Sequence, residues 1–129
     1  MAIVQVLFVC KPSADLSRDY RTAAFEVMQS DCHSRNLAGF FLSIPTGYVG
    51  FFEAEEGIVF GQIERIVRAR KFRDIQVIRE IHPRSPACDD WYVSDVEPVA
   101  ISPEDFLSPE YLANFIRSAL KPLSRRLQQ

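Results

Sequence analysis

"GYVGFFEAEEG", residues 47–57, decides the fold, because it carries a strand straight into a helix. Tyr48, Val49, Phe51 and Phe52 favour extended backbone, and Glu55 and Glu56 suit the positive end of a helix dipole. Gly50 interrupts the strand formers, where a residue without a side chain weakens packing and costs backbone entropy. Two readings stay open. Phe51, Phe52 or a helix side chain fills the vacated space, or an open cavity remains there.

The flanking segments extend the pattern in both directions. "LAGFFLSI" (37–44) is a second strand, joined to the first by the turn residues "PTG" in a hairpin. "EEGIVFGQIERIVRARK" is a helix with Val59, Ile63, Ile66 and Val67 as its buried stripe. Towards the N-terminus, "IVQVLFVC" (3–10) is apolar at successive positions, as in a strand covered on both faces. Residues 17–34 form a helix with Tyr20, Ala24, Val27 and Met28 on one side and Asp15, Ser17 or Asp19 as its cap. Towards the C-terminus, "IQVIREI" (75–81) is a fourth strand, "HPRSPACDD" a loop and "WYVSDVEPVA" (91–100) a fifth strand.

Ser102-Pro103 and Ser108-Pro109 each open a helical segment with a serine cap and Pro at the first position. Leu112, Phe115, Ile116, Ala119, Leu120, Leu123 and Leu127 trace one face there, and Pro122 kinks or ends the regular part. The order predicts an α+β protein, a ferredoxin-like β-α-β-β-α-β sandwich with an added strand. Residues 1–98 form its body, and the helical extension 99–129 covers the second sheet face within the same structural domain.

The chain has 129 residues, 47% apolar and 25% charged, with a formal charge of −2. That is one soluble domain without the basic bias of a nucleic-acid binder, and no apolar run approaches the ~20 residues of a membrane span. The N-terminal run reads as a strand rather than a signal peptide. Cys10, Cys32 and Cys88 are an odd number at unrelated spacings, which suits a reducing cytoplasm better than a disulfide framework. Cys32-His33 lacks the partner spacing of a metal site, and no metal is expected. His33 and His82 read as surface groups, and Asp31 and Glu53 have no spacing that would make them an acid–base pair.

From Val4 to about Val96 the chain resembles the BLUF domains, flavin-binding blue-light sensors. The likeness rests on "VLFVCKPS", "HSRNLAGFFL", "GYVGFFEAEEG", "RIVRARKFRDIQVI" and "DDWYVSDV", in register and without gaps. It implies FAD as the family cofactor, seated between the first two helices. It also implies a first-strand tyrosine that gives an electron and a proton to the excited flavin, and a third-strand glutamine that relays the proton.

The departures fall on that chemistry. The tyrosine position is Phe8, which has no hydroxyl, and the glutamine position is Gly50, which has no side chain. Two ring-holding asparagines correspond to Asp31 and Cys32, and an ionised Asp31 cannot donate a hydrogen bond. Arg65 matches a cofactor contact and Trp91 the tryptophan near the ring. Ala69, Phe72 and Val93 replace an acid, a histidine and a common methionine. Arg65 reads equally as pairing with Glu64 or Asp31, and Trp91 equally as plain packing.

The resemblance with these losses implies a protein that binds no flavin and acts through a protein partner or its own oligomer. No enzyme activity, nucleic acid or membrane is expected. With no output domain attached, the output is made in trans, and the last helix with Arg117, Lys121, Arg125 and Arg126 is a candidate surface unless its stripe only covers the sheet. The alternatives are an FAD photoreceptor with altered photochemistry, with Trp91 as electron donor, and a sensor of another small ligand in the same cleft. An acylphosphatase ranks last, because "CKPSAD" lacks the arginine its loop needs.

Overall fold

The computed structural model describes residues 2–14 and 17–123. Asp15, Arg125, Arg126 and Leu127 therefore lie outside the described residues. The elements follow the expected order: β1 (Ile3–Pro12), α1 (Arg18–Ser34), β2 (Ala38–Ile44), β3 (Gly47–Glu55), α2 (Glu56–Ala69), β4 (Phe72–Ile81) and β5 (Trp91–Val93). A 3-10 turn (Pro103–Leu107), α3 (Pro109–Ala119) and the two-residue β6 (Lys121–Pro122) complete the chain. The sheet order is β4-β1-β3-β2-β5-β6, antiparallel except where β5 runs parallel to β2. This is the ferredoxin-like arrangement, with β3 inserted between β1 and β2.

Both sheet faces are covered, which explains why the central strands are apolar nearly throughout. Val4, Val6, Phe8 and Cys10 of β1 point to the layer of α1 and α2 and share a cluster with Met28, Phe41, Phe52, Val59 and Ile66. Leu7 points the other way and joins Phe40, Leu42, Phe51 and α3 residues Leu112, Phe115 and Ile116. The stripe on α3 thus covers the second face.

Four local expectations need correction. On α1 the buried positions are Ala24, Met28 and Cys32, while Tyr20 (69% exposed) and Val27 (57%) face outward. On α2 Gln62 replaces Val67 in the buried row of Val59, Gln62 and Ile66. The fifth strand spans only Trp91–Val93, because Ser94 onward leaves the sheet and just Trp91 and Tyr92 pair with β2. Helix α3 ends at Ala119, before Pro122, whose ring forbids a continuing helix. Leu120 stays under α3, but Leu123 packs against the α1–α2 cluster on the opposite face, so these two residues are not on one stripe.

Two caps act as the sequence suggests: Ser17 accepts from the Tyr20 N–H and Ser108 from the Tyr111 N–H. Ser102 precedes a 3-10 turn instead of an α-helix and makes no side-chain cap bond. Gly39 has φ +123°, and a Cβ there would lie 1.8 Å from the Phe51 carbonyl oxygen. Only glycine fits this position, which brings its N–H to the Asp90 carbonyl and so docks β5 beside β2.

Candidate functional site

Gly50 is the centre of a three-strand row, directly opposite Phe8 on β1 and Phe41 on β2. Its φ is not left-handed, so the backbone does not demand glycine. The demand comes from Phe8. A Cβ at position 50 would lie 2.3 Å from both Cε1 and Cζ of that ring. The ring lies over the glycine, stacked at 6.1 Å on Phe41 and edge-on at 4.8 Å to Phe52. The filler is therefore Phe8 from across the strand pair, and not Phe51, Phe52 or a helix side chain; Phe51 faces the other layer. Phe8 is 1% exposed, so the row is closed as well as apolar.

The aromatic packing continues sideways. Phe25, Tyr48 and Phe72 stack on or abut Phe41, so the position that the resemblance gives to a loop histidine is the buried start of β4. Trp91 is 1% exposed and lies 5.9 Å from the Phe52 ring. Its Nε1–H donates to Gln29 Oε1 at 2.6 Å, and Gln29 Nε2 donates to the Phe41 carbonyl at 2.7 Å. Gln29 thereby pins the indole to the sheet, which satisfies a polar atom that burial would otherwise leave costly.

Between α1 and α2 a cleft of about 430 Å³ remains, lined chiefly by Ala24, Val27, Met28, Asp31, Gln62 and Arg65. Of the positions that the resemblance singles out, Asp31, Arg65, Ala69 and Phe72 line it. Phe8, Gly50, Cys32 and Trp91 do not. Cys32 is fully buried with its Sγ 3.8 Å from Met28 Sδ, and burial pushes its thiol pKa up.

Asp31 and Arg65 are occupied with each other. Arg65 Nε and Nη2 donate to the two carboxylate oxygens at 3.2 and 3.1 Å, and Gln62 Nε2 adds a bond at 2.9 Å. Glu64 pairs instead with Arg68. Burial raises the Asp31 pKa, but the bonds from Gln62 and Arg65 and the charges of Arg65 and Arg35 outweigh it. The carboxyl sits below its usual 3.8. Gln62 is 1% exposed, and its Oε1 is buried without a hydrogen-bond partner.

A depressed carboxylate pKa adds stability above the usual value and loses it as pH falls through the folded one. Asp31→Asn is accordingly expected to cost about 0.5–1 kcal/mol at neutral pH, given a partly exposed pair. Urea unfolding of variant and parent should converge progressively below pH 3.8; a gap that persists unchanged at pH 3 would refute the assignment.

Asp31 and Glu53 are on opposite sides of the sheet and form no pair. Glu53 is 3% exposed and accepts from Gln5 Nε2, from the Ala87 N–H at 2.9 Å and from the Cys88 N–H at 2.8 Å. It anchors the loop 82–90 to the second face. Sequence reasoning missed Gln29, Gln62 and this role of Glu53; polar residues inside otherwise apolar rows were the available signal. Among the described residues no group of three His, Cys, Asp or Glu could hold a metal ion, and no helix is long and apolar enough to cross a membrane.

This architecture is BLUF-like. The chain is similar in structure to a bacterial light-regulated adenylyl cyclase, with TM-score 0.55 and 15% identity over 65% of this chain and 24% of the cyclase chain. It is also similar to BlsA in its photo-activated state, with TM-score 0.54 and 12% identity over 91% of this chain and 94% of that one. At such identities the likeness concerns the fold. No family model matches the sequence, and no curated protein matches it.

The residues at the positions that the resemblance assigns to flavin contact do not fit an isoalloxazine ring. Phe8 and Gly50 supply neither hydroxyl nor amide, Cys32 faces Met28, and Asp31 is an acceptor already engaged by Arg65 and Gln62.

Proposed function

We propose that this chain is a BLUF-like cytoplasmic protein that neither binds flavin nor senses light, and that acts by contact with another protein or a second copy in signalling or regulation. The observation that carries the reading is the Phe8 ring packed over Gly50, which leaves the switch positions no polar atom and no space. Each lost buried contact weakens binding by about 1–3 kcal/mol, so three or four together remove several powers of ten in affinity. Among the described residues no group of three His, Cys, Asp or Glu could hold a metal ion, and the reading is non-enzymatic.

Of the two readings of the last helix, the one in which its stripe covers the sheet agrees with the packing. Leu112, Phe115 and Ile116 of α3 are used within the protein, whereas Tyr20, Val27 and Val67 are large apolar side chains exposed on the two-helix layer. That layer is the better candidate for a protein partner.

The test is the absorption spectrum of the purified protein, with and without added FAD, before and after blue light. The expected result is a colourless protein whose melting temperature does not move with FAD. A yellow protein with a light-induced red shift overturns the reading and restores the photoreceptor alternative. Pull-down from the host, together with the sedimentation mass, separates a foreign partner from self-association.

A second reading has one observation in its favour. The cleft between α1 and α2 persists, with Asp31, Gln62 and Arg65 among its lining residues, so a different small ligand has room there. Mass spectrometry of the denatured protein would reveal such a ligand.

A further inference from the structure

A second cavity, of about 250 Å³, lies on the other side of the sheet from that cleft. Its floor is Leu7 and Phe51, and its walls are Phe106 and Leu112 on one side and Ile81 and Ala87 on the other. Two of its boundaries are fixed by hydrogen bonds. The Glu53 carboxylate holds the Ala87 N–H, and Arg79 Nη1 donates to the Leu107 carbonyl at 2.8 Å, tying β4 to the 3-10 turn. The space is therefore formed before anything enters it, which lowers the ordering cost of binding.

The lining is almost wholly apolar, with Gln5 and Arg79 as its polar members. Gln5 Nε2 is engaged by Glu53, and both Glu53 oxygens are taken by Gln5, Ala87 and Cys88, so that charge is not presented to the space. Arg79 is exposed, and its bond to Leu107 uses one of five N–H donors, which leaves a cation at the rim. An apolar body with one anionic head matches this layout. At roughly 30 Å³ per water-sized group the space takes about eight such groups.

We propose that this cavity binds a small monocarboxylate with an aliphatic body of about eight carbons, its chain on Leu7, Phe51, Phe106 and Leu112 and its carboxylate on Arg79. The site is independent of the α1–α2 cleft and of whether flavin binds.

The test titrates the full chain with sodium octanoate and with 1-octanol and follows methyl signals by NMR. Octanoate is expected to shift the signals of Leu7, Ile81 and Leu112 and to leave those of Val27 and Ile66, at the cleft, unmoved. Arg79→Gln removes the cation along with the reach to the Leu107 carbonyl, and it should weaken octanoate binding at least tenfold without changing that of octanol, which reports that the cavity is intact. Ala113→Trp, which fills the space from α3, should abolish both. Its fold is checked by circular dichroism, and if it does not fold the Arg79→Gln comparison decides alone. Shifts confined to Val27 and Ile66, no shift at all, or equal octanoate binding by parent and Arg79→Gln would each overturn the proposal.

Discussion

A side chain restored at position 50 lowers stability, by about 1–2 kcal/mol for Gly50→Ala and about 3 kcal/mol for Gly50→Gln. In an ordinary strand the first change would be favourable, because alanine loses less backbone entropy than glycine. Here the new Cβ meets two carbons of the Phe8 ring at 2.3 Å, far inside the contact distance of about 3.5–4.0 Å between carbons. Ring atoms at the end of a side chain can sometimes swing away. Phe8 cannot do so cheaply, since Phe41 and Phe52 hold it in a site that is 1% exposed. The signature is coupling. Phe8→Ala alone leaves a cavity worth about 3–5 kcal/mol, but in Phe8→Ala/Gly50→Gln the glutamine enters the vacated space, and the double variant should be about 1–3 kcal/mol more stable than the sum of the singles. Urea unfolding, followed by the fluorescence of the single tryptophan, Trp91, measures all four corners of the cycle. Additive losses would mean that Phe8 and Gly50 do not share one volume.

Glu53→Ala is expected to cost about 4 kcal/mol, and Glu53→Gln about 2–3 kcal/mol. The carboxylate accepts from three buried donors, one amide side chain and two backbone N–H groups. Alanine strands all three. Glutamine is nearly isosteric, but its NH₂ must face at least one of the donors it replaces an acceptor for. The loss should be local as well as global, because the bonds to Ala87 and Cys88 hold the loop 82–90. Trypsin cleavage after the exposed Arg84 should accelerate in both variants, and more in Glu53→Ala. Unchanged cleavage together with unchanged unfolding would show that the loop is held by packing alone.

The hairpin that carries Gly50 was legible because alternation and a short turn mark it, whereas the row Phe8, Gly50, Phe41 was not, since β1 meets β3 only through the tertiary fold. The two-face cover was legible for a similar reason: β1 is apolar at successive positions, and a stripe-bearing helix follows the sheet. The fifth strand was overextended because Val96 and Val99 look like strand residues. Val99 does donate to the Ser43 carbonyl, yet from a loop rather than a ladder. Asp31 and Arg65, thirty-four positions apart, could be named as partners only as one option among two. The Gln29 bridge to Trp91 spans sixty-two positions, and no spacing rule reaches that far. Local periodicity fixes which face a residue takes. It says little about which polar atoms meet when two faces close.

The long outer strand β4 has a consequence of its own. Among the described residues it pairs with β1 alone, and two register shifts, between Leu7 and Phe8 and between Val9 and Lys11, break its regularity. Arg73, Asp74, Arg79 and Glu80 place charges of both signs along it, and Asp74 adopts a left-handed backbone. An incoming strand would find neither an even ladder of donors nor an uncharged border, so this margin of the molecule resists the runaway stacking that leads to fibrils.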